Sequence, residues 1–134
     1  MIVIVILGVL AAIVVPRLSS ASNEARQSGI AGQLQVIRRQ IELYKMQHQD
    51  DLPDITADWS ILLQASVGGT PPQTFGPYLV VLPMNPMNGF SSVTDGDGSA
   101  PAASPCGFVY DFDGGSGTGK LFATDKDGVT ILSY

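Results

Sequence analysis

The chain opens with fifteen apolar residues, MIVIVILGVLAAIVV, that run without a charge up to Pro16. As a helix this head reaches about 22 Å at ~1.5 Å per residue. A membrane helix needs about 20 residues to cross a hydrocarbon core of roughly 30 Å, so the run falls short by about five. No basic segment precedes it, so it does not read as a secretory signal. Read as a buried strand, it lacks a second all-apolar strand downstream to pair with. The expectation is therefore a membrane span that residues preceding Met1 would complete.

Beyond Pro16 the period becomes helical. Ile30, Leu34, Ile37, Ile41 and Tyr44 recur at steps of four, three, four and three, which places them on one face. Val36 and Leu43 form a second stripe more than about 100° around the helix. One stripe serves to pack a helix on its own domain, so two stripes predict packing against the body and against a neighbour, or broad burial in one domain. The pattern predicts near-continuous helix to about His48, kinked at Pro16 and weakened at Gly8, Gly29 and Gly32.

Asp50-Asp51-Leu52-Pro53 ends that helix. A short helix is predicted over Asp58 to Ala65 with Thr56 as its N-cap, and Gly68 to Pro72 reads as a loop. Tyr78 to Leu82 reads as extended, and Ser91 to Pro105 as a polar loop. Three strands follow, Phe108 to Phe112, Lys120 to Ala123 and Val129 to Leu132, separated by Asp/Gly turns. The expected fold class is α+β: a long N-terminal hydrophobic helix packed on a small C-terminal antiparallel sheet of about three strands. Three zones result: the head (1–16), its amphipathic continuation (17–49) and a globular body (50–134).

Charge sharpens this division. Residues 17–49 carry five cations against two glutamates, net +3, and residues 50–134 carry ten aspartates against two lysines, net −8. The whole chain has net charge −5 and pI about 4.4, which excludes the basic footprint of a nucleic-acid binder. Mean hydropathy is +0.23, and only 14% of residues are charged, which excludes a disordered polar chain. One cysteine, Cys106, and one histidine, His48, leave no disulfide framework, no multi-Cys zinc site and no Ser/His/Asp triad of the usual kind. His48 reads as a solvated helix-end residue, Cys106 as a small packed thiol and Trp59 as a core anchor. No nucleophile–base pairing is visible, so no enzyme is expected.

Two motifs suggest ligands. Gly114 to Lys120 spells G-x-x-x-x-G-K, but Leu121 stands where a Ser or Thr would meet Mg²⁺, and strand rather than helix is predicted next. D-x-D-G occurs three times, at Asp95, Asp111 and Asp125. Alternating carboxylates suit Ca²⁺, although the twelfth-position Glu of an EF-hand is missing and Asp-Gly is ordinary turn chemistry. Asp111, Asp113, Asp125 and Asp127 are the candidate Ca²⁺ ligands.

The head resembles the N-terminal helix of type IV pilins and type II secretion pseudopilins. Met1, Gly8, Leu10, Ala11, Ala12, Ile13 and Pro16 match that family's run in register. Gly76-Pro77-Tyr78-Leu79 through Pro83-Met84-Asn85-Pro86 resembles a segment of the major, G-type pseudopilins, and Gly107-Phe108-Val109-Tyr110-Asp111 a strand common in the family. The resemblance implies a homo-oligomeric helical filament built on Ile4, Leu7, Gly8, Leu10, Ala11, Ala12, Ile13 and Pro16. Ile30, Leu34, Ile37, Ile41 and Tyr44 would pack helix to body or subunit to subunit. It further implies a processed leader, an acidic residue two places before Met1, and a C-terminal Ca²⁺ loop. The implied partners are membrane lipid before assembly, minor pseudopilins or pilins, an inner-membrane assembly platform and a prepilin peptidase. The implied location is the inner membrane, single-pass with a periplasmic body, then the filament. A lone cysteine cannot close the disulfide loop of many type IV pilins, which favours a pseudopilus subunit supporting protein export. The alternatives are a type IV pilin forming a surface filament, and a single-span anchored periplasmic binding domain.

Overall fold

The computed structural model describes residues 2–133, and the side chains of residues 14–20 lie outside the described set. Helix α1 (Ile2–Gln47) takes 46 residues, about 69 Å of length. Its backbone is helical through position 16; the packing of Pro16 lies outside the described residues. It stops in a left-handed cap. Gln49 has φ 61°, and the Asp50 N–H donates to the Lys45 carbonyl at 2.9 Å, so orphan carbonyls of the last turn are satisfied.

Among the described residues, those of α1 that pack in the core lie in its second half. Ile30, Leu34, Ile37 and Ile41 are at most 1% exposed and Tyr44 is 7% exposed. They pack with Ile55, Trp59, Leu62, Tyr78, Leu79, Phe108, Tyr110, Leu121 and Ala123 in one core. Arg38 hooks the helix onto the sheet: its guanidinium donates to the Leu121 carbonyl from Nε at 3.0 Å and from Nη2 at 2.6 Å.

The short helix is α2 (Ser60–Leu63), shorter than the expected Asp58 to Ala65. Asp58 accepts from the Ser60 N–H at 2.7 Å, so the chain is still turning at 58, while Thr56 donates to Asp54 rather than capping. The expected loop from Gly68 to Pro72 joins a hairpin that was not expected, β1 (Ser66–Gly68) with β2 (Gln73–Phe75), and Gly68 itself closes β1. Tyr78 to Leu82 forms no strand; the Tyr78 and Leu79 N–H groups both donate to the Leu62 carbonyl, at 2.8 and 2.9 Å.

The sheet corrects the expected three-stranded antiparallel meander. It has four strands in the order β3 (Val93–Asp95), β4 (Phe108–Tyr110), β5 (Leu121–Thr124), β6 (Ile131–Leu132). β3 runs parallel to β4, and the other two pairings are antiparallel. A parallel pair needs a crossover of about a dozen residues. Residues 96–107 supply it and lie on the outer face, where Gly98 would bring a Cβ to 2.7 Å from the Phe122 ring and Gly96 to 3.1 Å from Val109. The inner face, Phe108 and Tyr110 opposite Ala123 and Leu121, points to α1.

The location also needs correction. Among the described residues no helix is long and apolar enough to cross a membrane. The apolar run of α1 stops within its first third, and the rest of the helix carries Arg26, Arg38, Arg39 and Lys45. The single-pass inner-membrane placement with a periplasmic body is therefore set aside.

Candidate functional site

The head of α1 stands clear of the body. Ile4, Leu7, Leu10 and Ile13 are 71%, 60%, 54% and 54% exposed, and Gly8, Ala11 and Ala12 are exposed too. A Cβ built on Gly8 meets nothing within 4 Å. These residues share one element, but no described residue of the body covers them. Soluble monomers rarely leave so large an apolar surface open, and where they do it marks an interaction site. Covering the nine large apolar side chains exposed between Ile2 and Ile13 is worth on the order of 10 kcal/mol. The second stripe is open as well, with Val36 53% and Leu43 40% exposed.

The aspartates do not assemble as the Ca²⁺ expectation required. Asp111 and Asp113 line a concavity of about 400 Å³ with Asp95 and Asp97, while Asp125 and Asp127 belong to the β5–β6 turn. Most of these carboxylates already accept hydrogen bonds from the body. Asp95 accepts from the N–H groups of Phe112 and Asp113, Asp97 from Ser99, and Asp111 from the N–H and hydroxyl of Thr118. Asp127 accepts from Val129 and Thr130 at 2.6 to 2.8 Å. Hydrogen bonds from Ser99 hold the Asp97 carboxyl below its usual value, and those from Thr130 and Val129 do the same for Asp127. Among the described residues no group of three or more His, Cys, Asp or Glu is arranged to hold a metal.

The remaining chemical groups are engaged in packing and hydrogen bonds. His48 is buried, not solvated. Its Nδ1 meets the Tyr44 carbonyl at 3.0 Å, and since a carbonyl only accepts, Nδ1 carries the proton. Its Nε2 is hydrogen-bonded to the Ser66 hydroxyl at 3.0 Å, and its ring stacks on Tyr44 at 3.8 Å. His48 thus ties the end of α1 to β1. Trp59 is 3% exposed, donates to the Ser91 carbonyl at 2.6 Å and meets Phe108 edge-on. Cys106 is 1% exposed. The G-x-x-x-x-G-K stretch passes through a 3₁₀ turn (Asp113–Gly115) into β5, with no helix N-terminus to hold a phosphate.

Sequence reasoning missed the two residues that close the body. Asn85 is fully buried. Its amide donates to the carbonyls of Gly107 and Thr124 at 2.8 and 2.7 Å, and its oxygen accepts from the Met87 N–H at 2.8 Å. Asn88 donates to the Cys106 and Asp125 carbonyls and the Thr124 hydroxyl, at 3.2, 2.9 and 2.9 Å. Gly107 lies so close that a Cβ there would stand 2.2 Å from the Phe90 carbonyl oxygen. Asn-Pro-Met-Asn-Gly is a turn signal, but nothing in it says that both amides reach distant strands.

No family model, no curated protein and no solved structure matches this chain.

Proposed function

We propose that this chain is a structural subunit that polymerises through its N-terminal helix, in the manner of a type II secretion pseudopilus subunit supporting protein export. The observation that carries the proposal is the exposed, charge-free stretch of α1 from Ile2 to Ile13, held away from a body whose core begins on that helix at Ile30. Ile and Val dominate this stretch, and their β-branched side chains give only modest helix propensity. Such a helix gains its stability from packing on its apolar surface. Further copies of the same helix supply that packing. The register of Gly8, Leu10, Ala11, Ala12, Ile13 and Pro16 supports the pilin-class reading, and the lone Cys106 supports the pseudopilin side of it. In this reading the protein carries no catalytic role.

The test is sedimentation and negative-stain electron microscopy of the full chain and of the Leu10→Glu variant. Leu10 is 54% exposed, so the body of the variant folds unchanged. Filaments in the parent and dispersed protein in the variant are the expected result. A parent chain that stays monomeric at every concentration tested overturns the proposal.

A further inference from the structure

Asn88 is the one asparagine of the chain that precedes a glycine; Asn23 precedes Glu24 and Asn85 precedes Pro86. That neighbour decides whether an asparagine side chain is chemically durable. A backbone nitrogen that follows asparagine can attack the side-chain amide carbon, and glycine, with no Cβ, hinders the attack least. Proline has no N–H to give up, and Glu24 crowds its nitrogen with a side chain.

The fold holds every atom of this reaction in place. The loop from Asn85 to Phe90 is closed by two backbone hydrogen bonds, from the Asn85 N–H to the Phe90 carbonyl at 2.9 Å and from the Gly89 N–H to the Asn85 carbonyl at 2.7 Å. The attacking nitrogen is the donor of the second. The Asn88 Oδ1 accepts from the Phe90 N–H at 3.0 Å. Its Nδ2, the group that would leave, donates to Thr124 Oγ1, the Asp125 carbonyl and the Cys106 carbonyl. Gly89 itself is exposed, and a Cβ there would meet nothing within 4 Å. Hydrogen bonds, not exclusion of water, therefore protect the site, and only while the loop stays docked on the start of β4 and the end of β5. Local opening breaks such bonds without unfolding the whole chain.

We infer that Asn88–Gly89 is a deamidation site protected by the closed body, so that opening of the 85–90 loop leaves a permanent covalent mark. In the opened loop the Gly89 nitrogen bonds to Asn88 Cγ, the Cγ–Nδ2 bond breaks, and Nδ2 takes up the proton lost from Gly89 and departs as ammonia. Water then opens the cyclic imide at either carbonyl, to aspartate or to isoaspartate. Aspartate replaces a donor shared by three acceptors with a carboxylate facing two carbonyl oxygens, an arrangement that costs free energy in the closed state. Isoaspartate adds a methylene to the main chain where a Cβ on Gly107 would already stand 2.2 Å from the Phe90 carbonyl oxygen. Each product thus favours the open state that made it. The inference stands apart from the polymer reading.

Peptide mass spectrometry of the full chain tests it. The parent is held at mildly alkaline pH with and without guanidinium, and conversion of the residue 88 amide to acid is followed in time. The unfolded chain is expected to convert Asn88 at least about tenfold faster than the folded chain, with Asn23 and Asn85 unchanged in both. Asn85→Ala, which removes the buried amide that anchors the same loop, is expected to raise the rate without denaturant. Asn88→Asp is expected to lower the urea midpoint below that of the parent. Equal rates in folded and unfolded chain, or an Asn85→Ala chain that converts no faster than the parent, overturn the protection. Conversion mainly at Asn23 overturns the site, and an Asn88→Asp chain as stable as the parent overturns the lasting effect.

Discussion

Replacing Asn85 probes what closes the body. The side chain is fully buried and makes three hydrogen bonds of 2.7 to 2.8 Å. Each contributes about 0.5–1.5 kcal/mol net, and a buried partner left unmet costs about 1–3 kcal/mol. The Gly107 carbonyl keeps contacts from Thr124, so its loss is softened; the Met87 N–H bears more of the loss. Asn85→Ala is therefore expected to cost about 3–4 kcal/mol, a large part of the ~5–15 kcal/mol typical of a domain. With a urea m-value of about 1–3 kcal/mol/M, the midpoint falls by roughly 1–4 M. Trp59, the sole tryptophan and 3% exposed, reports unfolding by fluorescence.

Asn85→Asp adds a signed pH test. At neutral pH its carboxylate faces two carbonyl oxygens, and the charged form is disfavoured. The folded pKa then lies above the unfolded value of about 3.9. The penalty is full above the folded pKa and is relieved as pH falls through it towards the unfolded value. Relative to the parent, the Asp variant must gain stability between pH 7 and pH 4.5. A cost below about 1 kcal/mol for the Ala variant, against the ~3 expected from three buried hydrogen bonds, refutes the reasoning. So does an Asp variant that loses relative stability on acidification.

Two further outcomes follow from the same physics. The Tyr110 hydroxyl is buried with no hydrogen-bond partner among the described residues, and burial pushes its ionisation far above the usual value. Tyr110→Phe is expected to stabilise the chain by about 1 kcal/mol, and thermal or urea unfolding that shows a loss contradicts this. Hydrogen bonds from Thr130 and Val129 depress the Asp127 carboxyl below 3.8. A depressed folded pKa means that its contribution is present above the unfolded value and disappears as pH falls through the folded one. Thr130→Val is expected to raise the Asp127 pKa in a carbon-detected NMR titration, and an unmoved titration rejects the assignment.

The parts of this molecule legible in sequence are those fixed by local period. Ile30, Leu34, Ile37, Ile41 and Tyr44 announce a buried helical face by spacing alone, and Asp50-Asp51-Leu52-Pro53 announces its end. β3 is not legible, because three residues, Val-Thr-Asp, become a strand only when a β4 twelve residues past its end offers parallel partners. Asn85 and Asn88 are equally hidden, since their meaning lies in carbonyls 18 to 39 residues away. The D-x-D-G stretches are ambiguous for the opposite reason: the sequence does not show that Asp97, Asp111 and Asp127 accept hydrogen bonds from Ser99, Thr118 and Thr130. The membrane expectation is contradicted by the described residues, among which no helix is long and apolar enough to cross a membrane.

The core on α1 begins at Ile30, and this divides the labour of selection along one helix. A substitution at Ile37 or Ile41 is judged each time a single chain folds, because it removes mass from a closed interior. A substitution at Ile4 or Leu10 leaves that interior untouched and, in the proposed polymer, is judged where chains meet. On that proposal the two halves of one continuous backbone evolve under different tribunals, the first answering to the population of copies and the second to the individual molecule.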